Sequence, residues 1–309
     1  MRAEQVARAH QKRRAALAKR AGREVRKLWG RIDLANIVRS WQEAMPDVLT
    51  VVESAQTTAA ASAGSYLGQL AEAYDLEDDG VAAVHAITFA GQASDGRPLD
   101  SLMFQPALTA LTALKQGATE GRARASGAFT AELITRTQVA DAGRAADQVA
   151  QTVRPQLGRW VRMLSLPSCS RCILLAGTVY AWDARFKRHS ACDCTTIPAP
   201  EAVAGDLTTD PRAAFEAMST DEQDKTFTAA DAQAIRDGAD IAQVVNARRG
   251  MTDAGITTTG TTRAGLAGQR LGARRGTRVV RLTPAAIYVQ AAGDRGQALL
   301  LLRQNGYLI

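Results

Sequence analysis

The 309-residue sequence is short of the residue types on which hydrolytic chemistry usually rests. It holds only three histidines, His10, His85 and His189. No G-x-S-x-G surrounds a serine, and neither H-E-x-x-H nor G-x-x-x-x-G-K-[ST] occurs. Gly265, Gly268 and Gly272 follow no apolar strand, so they do not form a dinucleotide loop. No catalytic residue is expected, although a Ser-Lys or Asp-Asp pair has no sequence signature and stays open. Aromatic residues make up 5% of the chain, which argues against an all-β fold, while abundant alanine favours closely packed helices. No apolar run approaches the ~18–20 residues of a membrane span. The basic N-terminus has no apolar segment behind it, so neither a secretory signal nor a membrane partner is expected. Synthesis in a reducing host cytoplasm follows, and no small-molecule substrate is expected.

Cysteine is equally scarce, but it is concentrated. All four cysteines, Cys169, Cys172, Cys192 and Cys194, fall between Pro167 and Pro198, together with His189. The spacing is C-x2-C and then H-x2-C-x-C. In a reducing compartment such a cluster reads as metal ligands before disulfides. A C-x2-C turn holds two thiolates on one metal, and H-x2-C-x-C supplies the closing pair. Five ligands compete for four positions. A mixed site with His189 is preferred to an all-thiolate one using both Cys192 and Cys194. Residues two apart share a face in an extended strand and diverge in a helix. Zinc suits thiolate with imidazole, and four protein ligands make the site structural. The intervening ILLAGTVYAW is rich in strand formers, so a β-hairpin carrying the metal on its turns is expected. Disulfide pairing is the main rival, and a redox thiol the lesser one.

Charge is unevenly distributed around a net +7. Residues 1–31 carry net +9, and residues 248–281 carry net +7, so the rest of the chain is acidic. The plain reading is two solvated surfaces. The sharper one is contact with nucleic-acid phosphate, through Lys12, Arg13, Arg14, Lys19 and Arg20 in the first segment and Arg248, Arg249, Arg274 and Arg275 in the second.

Hydrophobic periodicity predicts a mainly α protein: an elongated helical N-terminal half, a small α+β element resembling a zinc knuckle, and a helical C-terminal region with a flexible Gly/Arg-rich arm. Residues 1–31 read as a basic helix with a thin stripe of Val6, Leu17, Val25 and Leu28. Residues 32–165 read as a helical body. Within it, Asp33 caps a helix that Pro46 ends, and Asp47 opens a longer one through Val48, Val52, Ala55, Ala59, Tyr66, Leu67 and Leu70. A short helix over Gly80–Phe89 contains His85. Asp95-Gly96 is a turn, Pro106 begins a helix, and another starts near Ser126. Residues 166–200 form the Cys/His element and 201–309 the C-terminal region. There Asp210-Pro211, Thr228, Asp240, Thr283-Pro284 and Asp294 open helices, and Gly306 closes the last. The seven glycines of 250–277 suggest an extended or flexible arm.

The order of these features resembles the MuF-like minor head (head morphogenesis) proteins of tailed phages, in the type found in actinobacteriophages. C-x2-C is followed by Leu175-Ala176-Gly177, and H-x2-C-x-C by a proline. SDGRPLDSL (94–102), TQVADAGR (137–144), SCSRCILLAG (168–177), RHSACDC (188–194), VVNARRGM (244–251) and RLTPAAIY (281–288) carry the likeness; Ser190 departs from the usual proline. The resemblance implies a virion protein of the head interior, near the portal, acting in head assembly or genome delivery. Its partners would be portal and capsid proteins and DNA bound without sequence preference. Related proteins are often labelled maturation proteases, which is one alternative. A zinc-containing nucleic-acid-binding regulator is the other.

Overall fold

The computed structural model describes every residue except 1, 79–83, 166, 187, 190, 191 and 193. The first half contains α1 (Ala3–Trp29), α2 (Ile37–Ala61), α3 (Ala63–Ala73), α4 (Leu99–Met103), α5 (Gln105–Lys115) and α6 (Glu120–Thr152). There follow β1 (Arg159–Met163), α7 (Ser170–Ala176), β2 (Val179–Ala181) and β3 (Thr195–Ala199). The remainder comprises α8 (Glu201–Ala204), α9 (Pro211–Glu216), α10 (Thr220–Phe227), α11 (Ala229–Arg236), α12 (Ile241–Ala247), β4 (Ile256–Thr257), α13 (Leu266–Arg270), β5 (Arg281–Leu282), α14 (Pro284–Ala291) and α15 (Arg295–Gln304). The protein is thus mainly α, with a helical N-terminal half and a small sheet. Among the described residues, no helix is long and apolar enough to cross a membrane.

The chain forms two compact units, Met1–Ser165 with Val179–Thr208, and Leu166–Thr178 with Thr209–Ile309. In the first, α6 is the central helix and α1, α2, α3 and α5 pack on it. Small residues permit the close approach. A methyl group on Gly127 would lie 2.0 Å from the Trp29 ring, and one on Gly143 2.6 Å from Arg14 Nε. Trp29 meets Trp41 edge-on at 5.0 Å, and their indole N–H groups donate to the carbonyls of Arg124 and Met103. Val25, Val48, Val52, Ala131 and Val139 complete this core. A second cluster joins Val6, Ala7, Tyr66, Leu67 and Leu70 to Val161, Met163 and Ile197 of the sheet.

That sheet has the order β2-β1-β3, all antiparallel, with Val161 opposite Val179 on one side and Ile197 on the other. Its central strand comes from residues before the cysteines. The hairpin expected between the two ligand pairs is therefore not formed: Ser170–Ala176 is helical, with Cys169 at its N-cap. Leucine and alanine favour a helix once a cap is supplied, and only Val179–Ala181 is left to extend.

Pro46 lies inside α2 rather than ending a helix. Ile37 and Trp41 before it and Val48 and Val52 after it are all buried, and their common packing outweighs the hydrogen bond that proline removes. Asp33 caps a 3-10 turn over Leu34–Asn36 that leads into α2. Of the helix expected over Gly80–Phe89, residues 80–83 lie outside the described residues, and Ala86–Phe89 is a 3-10 turn.

The second unit is built on side-chain caps. Asp210, Thr228, Asp240, Thr283 and Asp294 each accept a backbone N–H at a helix start, as their sequence positions predict. Gly306 takes φ +73° just beyond α15. Phe215 and Phe227 meet edge-on at 5.2 Å. Residues 250–277, expected as an extended or flexible arm, carry the short β4 and α13. The glycines serve backbone contact: a Cβ on Gly268 would lie 2.0 Å from the Thr262 carbonyl oxygen.

Candidate metal centre

Each half of the Cys/His set is prepared by its own local structure. Cys169 has extended backbone, and its Sγ accepts from the Cys172 N–H at 3.4 Å, so the helix start itself supplies an N–H···S contact. On the other side, the Cys192 N–H donates to the His189 carbonyl at 3.2 Å, which closes a turn between histidine and thiol. Cys194 directly precedes β3. Cys172, Cys192 and Cys194 are buried, Cys169 is half-buried and His189 is exposed. None of the four cysteines is in a disulfide.

Among the described residues, Cys169 and Cys172 belong to the second unit and His189, Cys192 and Cys194 to the first, and all five are of the types that could hold a metal ion. Thiolate and imidazole donors suit a thiophilic cation.

The residues expected to meet phosphate divide differently. Lys12, Arg13, Lys19 and Arg20 are exposed along α1, on the side opposite Val6, Ala18, Val25 and Trp29. Arg14 is not among them. It is 7% exposed and ion-paired with Asp147, and it donates to the Ala140 carbonyl at 3.1 Å. His10 Nε2 lies 2.9 Å from Arg14 and 3.3 Å from Asp147, and its ring stacks on Tyr66 at 3.9 Å. A phosphate contact by Arg14 would strand a buried carboxylate. Arg14 and His10 hold Asp147 below the usual carboxylate range although burial works against its charge, and burial pushes His10 down. In the second segment Arg249, Arg274 and Arg275 are exposed. Arg248 is half-buried against Asp231, and Arg281 is 1% exposed with its guanidinium 4.6 Å from the Tyr307 ring centroid.

Several residues around the ligands escape a reading by motif. Arg144 donates from Nε to the Cys194 carbonyl at 3.0 Å and from Nη2 to the Cys192 carbonyl. Arg162, on β1, is buried with Nη1 3.9 Å from Cys192 Sγ and its guanidinium 3.9 Å from the Phe186 ring centroid. Their one sequence signal is Asp141 and Arg144 three apart in a helical pattern, inside 137–144.

A family model described as VG15 protein matches residues 1–221. The chain belongs to this family. VG15 is a viral protein family, which fits a phage protein. The matched residues include α1, α6, the three-stranded sheet and all five candidate Cys/His ligands. No curated protein and no solved structure matches the chain.

Proposed function

We propose that this VG15-family chain is a minor head protein of the MuF-like type, carried inside the virion near the portal and acting without covalent chemistry. A structural zinc is held by the Cys/His set. The acidic surfaces meet portal and capsid subunits. The exposed cations of α1, with Arg249, Arg274 and Arg275, meet packaged DNA without reading sequence. The observation that carries the reading is the viral family match, which takes in both the cationic helix and the ligand set. The cationic face of α1 supports the DNA contact: a helix of 27 residues is about 40 Å long, enough to follow several phosphates.

Mass spectrometry of purified virions should find the chain in mature particles. Its absence there, or its site-specific cleavage of the major capsid protein in vitro, would contradict the proposal. Replacing Lys12, Arg13, Lys19 and Arg20 by Gln should weaken DNA binding equally across sequences. It should also flatten the log–log salt slope by about 3–4. Binding that is insensitive to salt, or confined to one sequence, would favour a regulator instead.

A further inference from the structure

Asp141 and Arg144 stand one turn apart on α6, with side chains 7% and 9% exposed, and Arg144 Nη1 donates to Asp141 Oδ1 at 2.8 Å. The rest of the guanidinium is committed to the cysteine loop. Nε takes the Cys194 carbonyl at 3.0 Å, and Nη2 takes the Cys192 carbonyl. One rigid fork thus grips two carbonyls two residues apart. Carbonyls at i and i+2 point the same way when the chain is extended, and side chains at i and i+2 then share a face. A fork on both carbonyls suits a register in which Cys192 and Cys194 present both thiols to one side.

Arg188 forms an ion pair with the other oxygen of Asp141. It immediately precedes His189. Asp141 consequently ties α6 to the start of H-x2-C-x-C, and Arg144 ties it to the end. The two stretches 137–144 and 188–194, far apart in sequence, form one assembly.

We propose that Arg144, oriented by Asp141, is a positioning residue of the metal centre. It sets the Cys192–Cys194 register for a thiophilic divalent cation and places a positive charge beside a thiolate-rich, net-negative site. The proposal rests on reading the Cys/His set as a metal site. Lysine cannot replace this arginine, because one ammonium does not reproduce a planar fork with three fixed acceptors.

The test uses the full chain with Arg144→Lys, Arg144→Met and Asp141→Asn, and with Arg26→Gln, in an exposed pair with Glu132, as control. Zinc affinity is measured by competition with a chromophoric chelator. Cobalt(II) substitution reports the number of thiolates through the intensity of the sulfur-to-cobalt charge-transfer band. Thermal unfolding in excess EDTA reports the fold without metal. Removing an outer-shell support should lower zinc affinity about 10–100-fold, with Arg144→Lys failing to rescue and Asp141→Asn falling between wild type and Arg144→Met. The charge-transfer band should weaken, and the control should match wild type. Unchanged zinc affinity and an unchanged cobalt spectrum in the Arg144 variants would overturn the proposal, even if those variants melt earlier in EDTA. If Arg144→Met does not fold, the Lys and Asn variants carry the same comparison. A wild-type chain that binds neither zinc nor cobalt fails the metal reading itself, a result distinct from variants that bind as well as wild type.

Discussion

The two arginine-rich segments look alike in composition and are ordered by different physics. In α1 a helical period separates the residues: alanine, valine and Trp29 face α6, while Lys12, Arg13, Lys19 and Arg20 face out. Residues 248–281 have no such period. They are held by backbone approach at glycine and by short threonine bonds, such as Thr261 Oγ1 donating to the Thr258 carbonyl at 2.7 Å. Each segment also turns an arginine inward, and the two resulting acid–arginine pairs differ in electrostatic sign. Asp147 beside Arg14 is held below the usual carboxylate range, whereas burial wins at Asp231 beside Arg248 and pushes it up. Net charge counts arginines, and the fold decides which of them remain available to a partner.

The largest effect expected from this contrast is at Asp147. Asp147→Ala leaves Arg14 and His10 buried without their counter-charge, and it should cost about 3–5 kcal/mol in urea unfolding. A loss no greater than that of an exposed charge would mean that α1 is not docked through this pair. A smaller effect is expected in the other segment. Gly268→Ala forces a methyl group onto the Thr262 carbonyl and should cost about 1–3 kcal/mol, with faster hydrogen exchange confined to the second unit. A neutral outcome would restore the flexible arm that the glycine content suggests.

The smallest effect is the pH dependence, and it has opposite signs in the two pairs. His10 and Asp147 are both shifted down in the fold. Their stabilisation is present above their unfolded pKa values. It is lost on acidification, first below about 6.5 for His10 and then through the carboxylate range for Asp147. Asp231 is shifted up, so its contribution is full below its unfolded pKa and fades as pH rises through the folded one. Urea unfolding between pH 7 and 4 should show a shallower acid loss for His10→Gln and a steeper one for Asp231→Asn. The same change of slope in both variants would contradict the contrast.

Legibility from sequence followed the range of the interactions. Helix caps are local, so Asp210, Thr228, Asp240, Thr283 and Asp294 could be placed from neighbouring residues alone. The apolar face from Val48 to Leu70 was legible from period. Pro46 was misleading, because a tertiary face overrode a local rule. ILLA was misread as strand because the capping role of Cys169 was hidden behind its reading as a candidate ligand. The central strand of the sheet lay outside the cysteine window altogether. The candidate Cys/His set stood out in the sequence because cysteine is rare and clustered here. Its support did not: Arg144 reaches its two carbonyl partners across 50 and 48 positions in sequence, and no spacing rule connects them.

The most direct measurement is metal content with thiol protection on the purified full chain. Elemental analysis should give one zinc per chain, with Cys172, Cys192 and Cys194 resisting alkylation until a chelator is added. A folded chain that holds no zinc, and whose Cys169 and Cys172 alkylate at the same rate with and without chelator, would contradict the account.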